Sequence, residues 1–280
     1  MRLPPLGLLL SLLAATAAVA QGPAAHPPLY VGFDRNEYPG DETLTSLHHH
    51  FNFTGYWLNP PPGAAANSWT GKRDTLLQAD FGFLVLWNGR LDAAILKAQS
   101  SGTSAATLGQ HDAEAAIAAA RQEHFPPGTI LFLDQEEGGR LLKEQADYLF
   151  AWTEHVARSS YSPGVYASGQ PSPDGPGQTI TTAQDIREHV ASAHLPVVAL
   201  WVAQDACPPS DGCSLRPPGL ARSGTPGAFV WQYAQSPRRP ALTQACSNTY
   251  APDGNCYVPE LPGLHLDLNV ASTPDPSHGR

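Results

Sequence analysis

Basic charge is scarce in this sequence. Its 280 residues hold 16 lysines and arginines against 25 aspartates and glutamates, a formal net charge of -9. No basic cluster occurs, which leaves no electrostatic case for binding nucleic acid or an anionic membrane surface. Long apolar runs are few: beyond the N-terminal stretch none approaches the roughly 18 residues of a spanning helix, so no membrane insertion is expected. Several catalytic signatures are missing too. There is no Walker lysine loop and no G-x-G-x-x-G after the first strand, which removes phosphate-loop and dinucleotide chemistry, and no G-x-S-x-G elbow, which disfavours an esterase. His48-His49-His50 is a poor metal site, because consecutive residues do not share a helix face and no carboxylate pattern completes it. No cofactor and no metal are expected.

What is present begins with export. Arg2 precedes an apolar stretch, 6–13, and then Ala18-Val19-Ala20, a small-x-small cleavage site, so residues 1–20 read as a secretory signal peptide and the mature chain as starting at Gln21. No cysteine follows the cleavage site, so no lipid anchor is expected. In an extracellular, oxidising setting Cys207, Cys213, Cys246 and Cys256 read as disulfides rather than metal ligands. Three pairings are open, and the spacing favours two local loops, Cys207 with Cys213 and Cys246 with Cys256.

The rest of the chain is organised around Ile130-Leu131-Phe132-Leu133-Asp134-Gln135-Glu136-Glu137. Four large apolar residues after the turn signal Pro126-Pro127-Gly128 read as a strand buried on both faces, and it closes on three acids. Side chains alternate along a strand, so Asp134 and Glu136 point the same way with Cα atoms roughly 6.5 to 7 Å apart. Two carboxylates that close resist ionising together, which lets one serve as a proton donor.

Similar apolar runs recur at 29–34, 53–58, 83–87, 163–166, 197–203, 229–233 and 264–269, with helical patterns at 72–78, 112–124 (Asp112 placed as its cap), 139–158 and 182–194. Eight strands alternating with helices in one domain, 21–270, define a (β/α)8 TIM-type barrel, allowing for irregularity in its Pro- and Gly-rich loops. The Pro- and Ser-rich residues 271–280 read as a disordered tail. Active sites of such barrels lie at the carboxyl ends of the strands. Asp34, Asp134, Glu136 and Asp267 fall there by sequence, with Trp57, Trp87, Tyr166, Trp201, Trp231 and Tyr233. Acids ringed by aromatics suit a sugar, whose C–H faces stack on Trp and Tyr while carboxylates act on the glycosidic oxygen.

These residues resemble the family-25 glycoside hydrolases, lysozymes that cut the muramic acid linkage of peptidoglycan. The matching motifs are Gly32-Phe33-Asp34, Asp134-Gln135-Glu136, Tyr166, Leu200-Trp201-Val202-Ala203, Trp231-Gln232-Tyr233 and Asp267-Leu268-Asn269. Gly109-Gln110-His111-Asp112-Ala113 and Pro127-Gly128-Thr129-Ile130-Leu131-Phe132 look like a sister group, the glycoside-hydrolase-like domain of unknown function in secreted bacterial and fungal proteins. The resemblance implies Glu136 as general acid/base, Asp134 tuning it and binding the substrate's N-acetyl group, and Asp34 and Asp267 completing the acidic floor. It implies retention, with the substrate's own acetamido group as nucleophile. The segment after the second strand departs from the family-25 pattern, and Glu137 adds an acid beside the pair. The expected activity is that of a secreted, monomeric glycosidase of the muramidase class on a cell-wall aminosugar polymer, with Trp87, Tyr166, Trp201, Trp231 and Tyr233 binding the glycan. The competing expectation is a barrel that binds cell-wall glycan without cutting it.

Overall fold

The computed structural model describes Met1 and residues 28–280. Apart from Met1, the expected signal peptide lies outside the described residues. The apolar runs form β1 (Tyr30–Asp34), β2 (Phe53–Trp57), β3 (Gly82–Asn88), β4 (Ile130–Gln135) and β5 (Ser162–Ser168), each parallel to its predecessor. A two-residue ladder, β6 (Ser172–Pro173) with β7 (Thr179–Ile180), stands apart. β8 (Ala199–Ala203) and β9 (Val230–Ala234) extend the parallel run, and β10 (Asp267–Ala271) closes it. The closed order is β1-β10-β9-β8-β5-β4-β3-β2, the eight-stranded barrel expected from the sequence. Its interior is packed with large side chains such as Phe53, Phe132 and Trp201, all fully buried.

The last strand departs from an all-parallel ring. β10 is antiparallel to both β1 and β9: the 235–266 connection delivers it to the rim at which β9 ends, instead of crossing back to the opposite rim as a parallel pairing requires. Asp267 therefore stands at the amino end of its strand rather than the carboxyl end. It still reaches the same rim, directly opposite Asp34 in the β1–β10 register.

Around the ring run α1 (Leu44–His48), α2 (Arg73–Gln78), α3 (Asp92–Ser100), α4 (Ala105–Gln122), α5 (Lys143–Ala157) and α6 (Thr182–Ser192). α4 starts earlier than Asp112: the hydroxyl of Ser104 caps it by accepting from the Thr107 amide at 3.1 Å. Asp112 is instead buried in mid-helix, where it takes a two-pronged ion pair from Arg90 at 2.6 and 2.7 Å and a 2.8 Å bond from the Tyr148 hydroxyl. Gly109 explains how close α4 and α5 lie, since a Cβ there would sit 2.2 Å from the Tyr148 carbonyl oxygen. After α6 the covering changes: only the 3-10 turns Leu220–Ser223 and Gln244–Thr249 follow.

The cysteines pair as Cys207–Cys246 and Cys213–Cys256, not within their own loops. The β8–β9 and β9–β10 connections lie side by side, and each bond crosses from one to the other, burying Cys246 and Cys256 between them. Sequence proximity favoured the shorter closures, and loop-against-loop packing overrode it. The C-terminal residues expected to be disordered are also packed. Beyond β10, Val85 N donates to Ser277 Oγ, Ser277 N to the Phe83 carbonyl and Ile130 N to the Ser277 carbonyl, each at 2.8 Å. The tail satisfies backbone groups left over where β3 and β4 begin, a service that a Pro- and Ser-rich composition does not advertise.

Candidate active site

The carboxyl ends of the parallel strands and the amino end of β10 surround a cavity of about 400 Å³. Asp34 from β1, Asp134 from β4, Glu136 from the turn after it and Asp267 from β10 all line it. Gly55 on β2 makes room for the first of these: a Cβ there would lie 2.7 Å from the Asp34 Cβ.

Asp34 is buried, and one of its oxygens accepts from the Asn269 amide at 2.6 Å and the Gln232 amide at 3.0 Å. Burial raises its pKa to about 6; the two amides oppose the rise and the charge of Glu136 adds to it. Asp134 is more extreme. Burial, then the charges of Glu136 and Asp34, hold it well above the carboxylate range. Counted as ionised, its Oδ1 is buried without a partner; protonated, Asp134 donates a hydrogen bond to Glu136, which favours the charged form of the latter. Glu136 itself reaches the mouth, and desolvation by the cavity wall raises its pKa against that bond. Of the two, Asp134 is the more strongly driven toward its protonated form. Asp267, half-buried, is raised first by burial and then by Asp34, against a 2.6 Å bond from the Ser236 amide.

Glu137 turns away from this group. Its carboxylate accepts from the Asp92 amide at 2.8 Å and from Gln145 Nε2 at 2.6 Å, tying the turn after β4 to the starts of α3 and α5. It fixes the backbone that carries Glu136.

The aromatics divide by strand parity. Tyr166 and Trp201 line the cavity with Trp57, their rings 4.8 Å apart edge to face. The Tyr166 hydroxyl donates to Gln232 Oε1 at 2.8 Å, and burial beside Asp134 raises its pKa. Trp201 Nε1 donates to Asn269 Oδ1 at 2.9 Å. Trp231 and Tyr233 share a face, as period two requires, but it is the outer one: both are fully buried, donating to the carbonyls of Gln204 at 2.7 Å and Ser214 at 2.9 Å. Gln232 between them points inward. Trp87 likewise faces outward, while its neighbour Leu86 lines the cavity. Substrate contact is thus open to Tyr166, with the fully buried Trp201 packed behind it, and closed to Trp87, Trp231 and Tyr233. Arg35, Gln232, Ser236 and His265 also line the cavity and were not among the candidates from sequence. For Gln232 a signal existed, as an amide in the middle of an apolar strand needs a polar partner on its own face.

An acid-floored cavity at the strand ends of a closed barrel is the arrangement of glycoside-hydrolase-like proteins. The chain belongs to the Rv2525c-like, glycoside hydrolase-like domain family, whose model matches residues 62–243. Among solved structures, an uncharacterized B. stearothermophilus protein shares the fold at a TM-score of 0.56 and 20% identity, over 86% of this chain and 95% of its own. The Mycobacterium tuberculosis Tat-secreted protein Rv2525c, in complex with L-tartrate, matches at 0.49 and 12% identity, over 87% of this chain and 95% of its own. The modular autolysin LytC from Streptococcus pneumoniae matches at 0.46 and 10% identity, over 86% of this chain and 46% of its own. No curated protein matches the chain.

Proposed function

We propose that this glycoside-hydrolase-like barrel is a secreted hydrolase of an aminosugar polymer of the cell wall, with Glu136 as acid/base and Asp134, Asp34 and Asp267 as its supporting acids. The observation that carries the reading is the meeting, in one cavity, of four carboxyls from the beginning, middle and end of the chain, beside Tyr166 and Trp201. Two cross-linked loops suit an oxidising compartment and support export; among the described residues no helix is long and apolar enough to cross a membrane.

A proton on Asp134 gives a sequence of events. An acetamido N–H approaching Asp134 favours its ionised form, and the proton passes to Glu136. Glu136 then gives it to the glycosidic oxygen as that bond breaks. The acetamido group, held through its N–H by Asp134, closes its oxygen on the anomeric carbon, so no second carboxylate is required as nucleophile. Water opens the ring with Glu136 as base, and the configuration is retained.

Reducing ends released from peptidoglycan or chitin-type oligomers by the wild type and by Glu136→Gln test this. General acid catalysis is typically worth ~10²- to 10⁴-fold, and the variant is expected to lose that much. Equal rates would remove Glu136 from the mechanism, and saturable binding with no new reducing ends would leave a glycan-binding barrel.

A further inference from the structure

Arg35 is the feature of the cavity that acid/base chemistry leaves unused. It follows Asp34 directly and lines a wall that also carries Asp34, Glu37, Asp134, Glu136 and Asp267. A guanidinium among five carboxyls would ordinarily be clamped by one of them. Among the described residues it forms no ion pair within 4.0 Å, and its buried Nε donates to nothing. Glu37 and Asp267 are the charges nearest to it in effect, acting against a burial that lowers its pKa.

The backbone beneath it is held firmly. Trp57 Nε1 donates to the Arg35 carbonyl at 3.1 Å and Trp69 Nε1 to the Asn36 carbonyl at 2.9 Å. Asn36 Nδ2 reaches the Pro62 carbonyl at 3.2 Å, and the Tyr38 amide reaches Ser68 Oγ at 2.8 Å. Two indoles and two side-chain bonds strap one short segment, while the side chain it presents to the cavity keeps its donors free. A donor fork on a rigid base, unspent on its own acids, is the arrangement for receiving an anion from outside.

We propose that Arg35 is a specificity-determining residue that receives a carboxylate on the sugar, so that the substrate is an acidic aminosugar polymer rather than a neutral one. The inference rests on the hydrolase reading above and narrows it. A neutral chitin-type chain gives the guanidinium no charged partner. A glycan bearing a carboxylate would be repelled by the acidic floor unless one cation met that group, and Arg35 is placed to do so with a planar, two-pronged contact.

The test compares peptide-free peptidoglycan strands, in which every second sugar carries a lactyl carboxylate, with the same strands after chemical reduction of that carboxylate to an alcohol. Reducing ends give kcat and KM, and dissociation constants are measured on the Glu136→Gln protein. A charge-assisted contact is worth about 10- to 100-fold, so the wild type is expected to favour the carboxylate strands by that factor, mostly through KM. Arg35→Gln should erase the preference and Arg35→Lys, which keeps the charge without the fork, should restore part of it. Equal wild-type handling of both strands, or an Arg35→Gln loss of the same size on both, overturns the assignment while leaving the hydrolase reading intact. Preferential binding of the carboxylate strands with cleavage of neither removes the hydrolase reading and upholds Arg35. A melting curve on each variant separates loss of recognition from loss of fold.

Discussion

From β2 round to β8 the barrel is jacketed by α2 to α6, whereas from β8 back to β1 it is covered by loops pinned by Cys207–Cys246 and Cys213–Cys256. The two arcs meet the same need, shielding the outward faces of strands, by different means. The helical arc does it with regular apolar stripes and an ion pair that reaches one buried carboxylate, Arg90 with Asp112. The looped arc has no helix to supply a stripe, and covers Trp231 and Tyr233 with backbone carbonyls and cross-links instead. A wall can thus lose its helices if covalent bonds restrain what replaces them.

The sharpest way to break this contrast is to cut a cross-link. Cys213 and Cys256 are 43 residues apart, a closure worth about 4 kcal/mol by chain entropy. Replacing both by Ser should lower stability by that order in urea titration. Amide exchange should rise first in 204–266 while α4 and α5 stay protected; a uniform rise across both arcs would mean that they are not separate. Next in size is the seam between the arcs, where Asp34 on β1 is held by Gln232 and Asn269 of the looped side. Its pKa, raised from 3.8 to about 6, means that the native state keeps a proton which the unfolded chain has released. Between roughly pH 4 and 6 stability should therefore fall as pH rises, by about two units at ~1.36 kcal/mol each, or ~3 kcal/mol. Unfolding measured across that window should show the slope in the wild type and a flatter curve in Asp34→Asn. The smallest effect is on the helical side: Ser277→Ala leaves the buried Val85 amide unpaired, which should cost about 2 kcal/mol, read as a lower thermal midpoint without preferential exchange in the looped arc.

The helical arc was also the more legible. Its strands announce themselves as apolar runs bounded by turns, and the barrel follows from their number. Within it, Asp112 misled because an acid before an Ala-rich segment looks like a cap, and only the distant Arg90 and Tyr148 reveal it as a buried ion-pair partner. The looped arc hid more. Parallel and antiparallel strands have the same pattern of residues, so the direction of β10 was invisible. Period two established that Trp231 and Tyr233 share a face but not which face, because that depends on how the ring closes. Disulfide partners depend on which loops lie side by side, a tertiary fact that spacing does not carry. Of the site, the acids were readable because a carboxylate ending an apolar strand is conspicuous. Arg35 was not, since its meaning lies in the ion pairs it does not form.

The ring is sealed by its two ends: β1 pairs with β10, and the amide of Asn269 that holds Asp34 comes from 235 positions downstream. A chain emerging amino end first therefore carries an unfinished pocket until β10 is delivered. Any premature stop before residue 267 would release a protein lacking both its closing strand and one of its four acids, with Asp34 deprived of the amide that holds it.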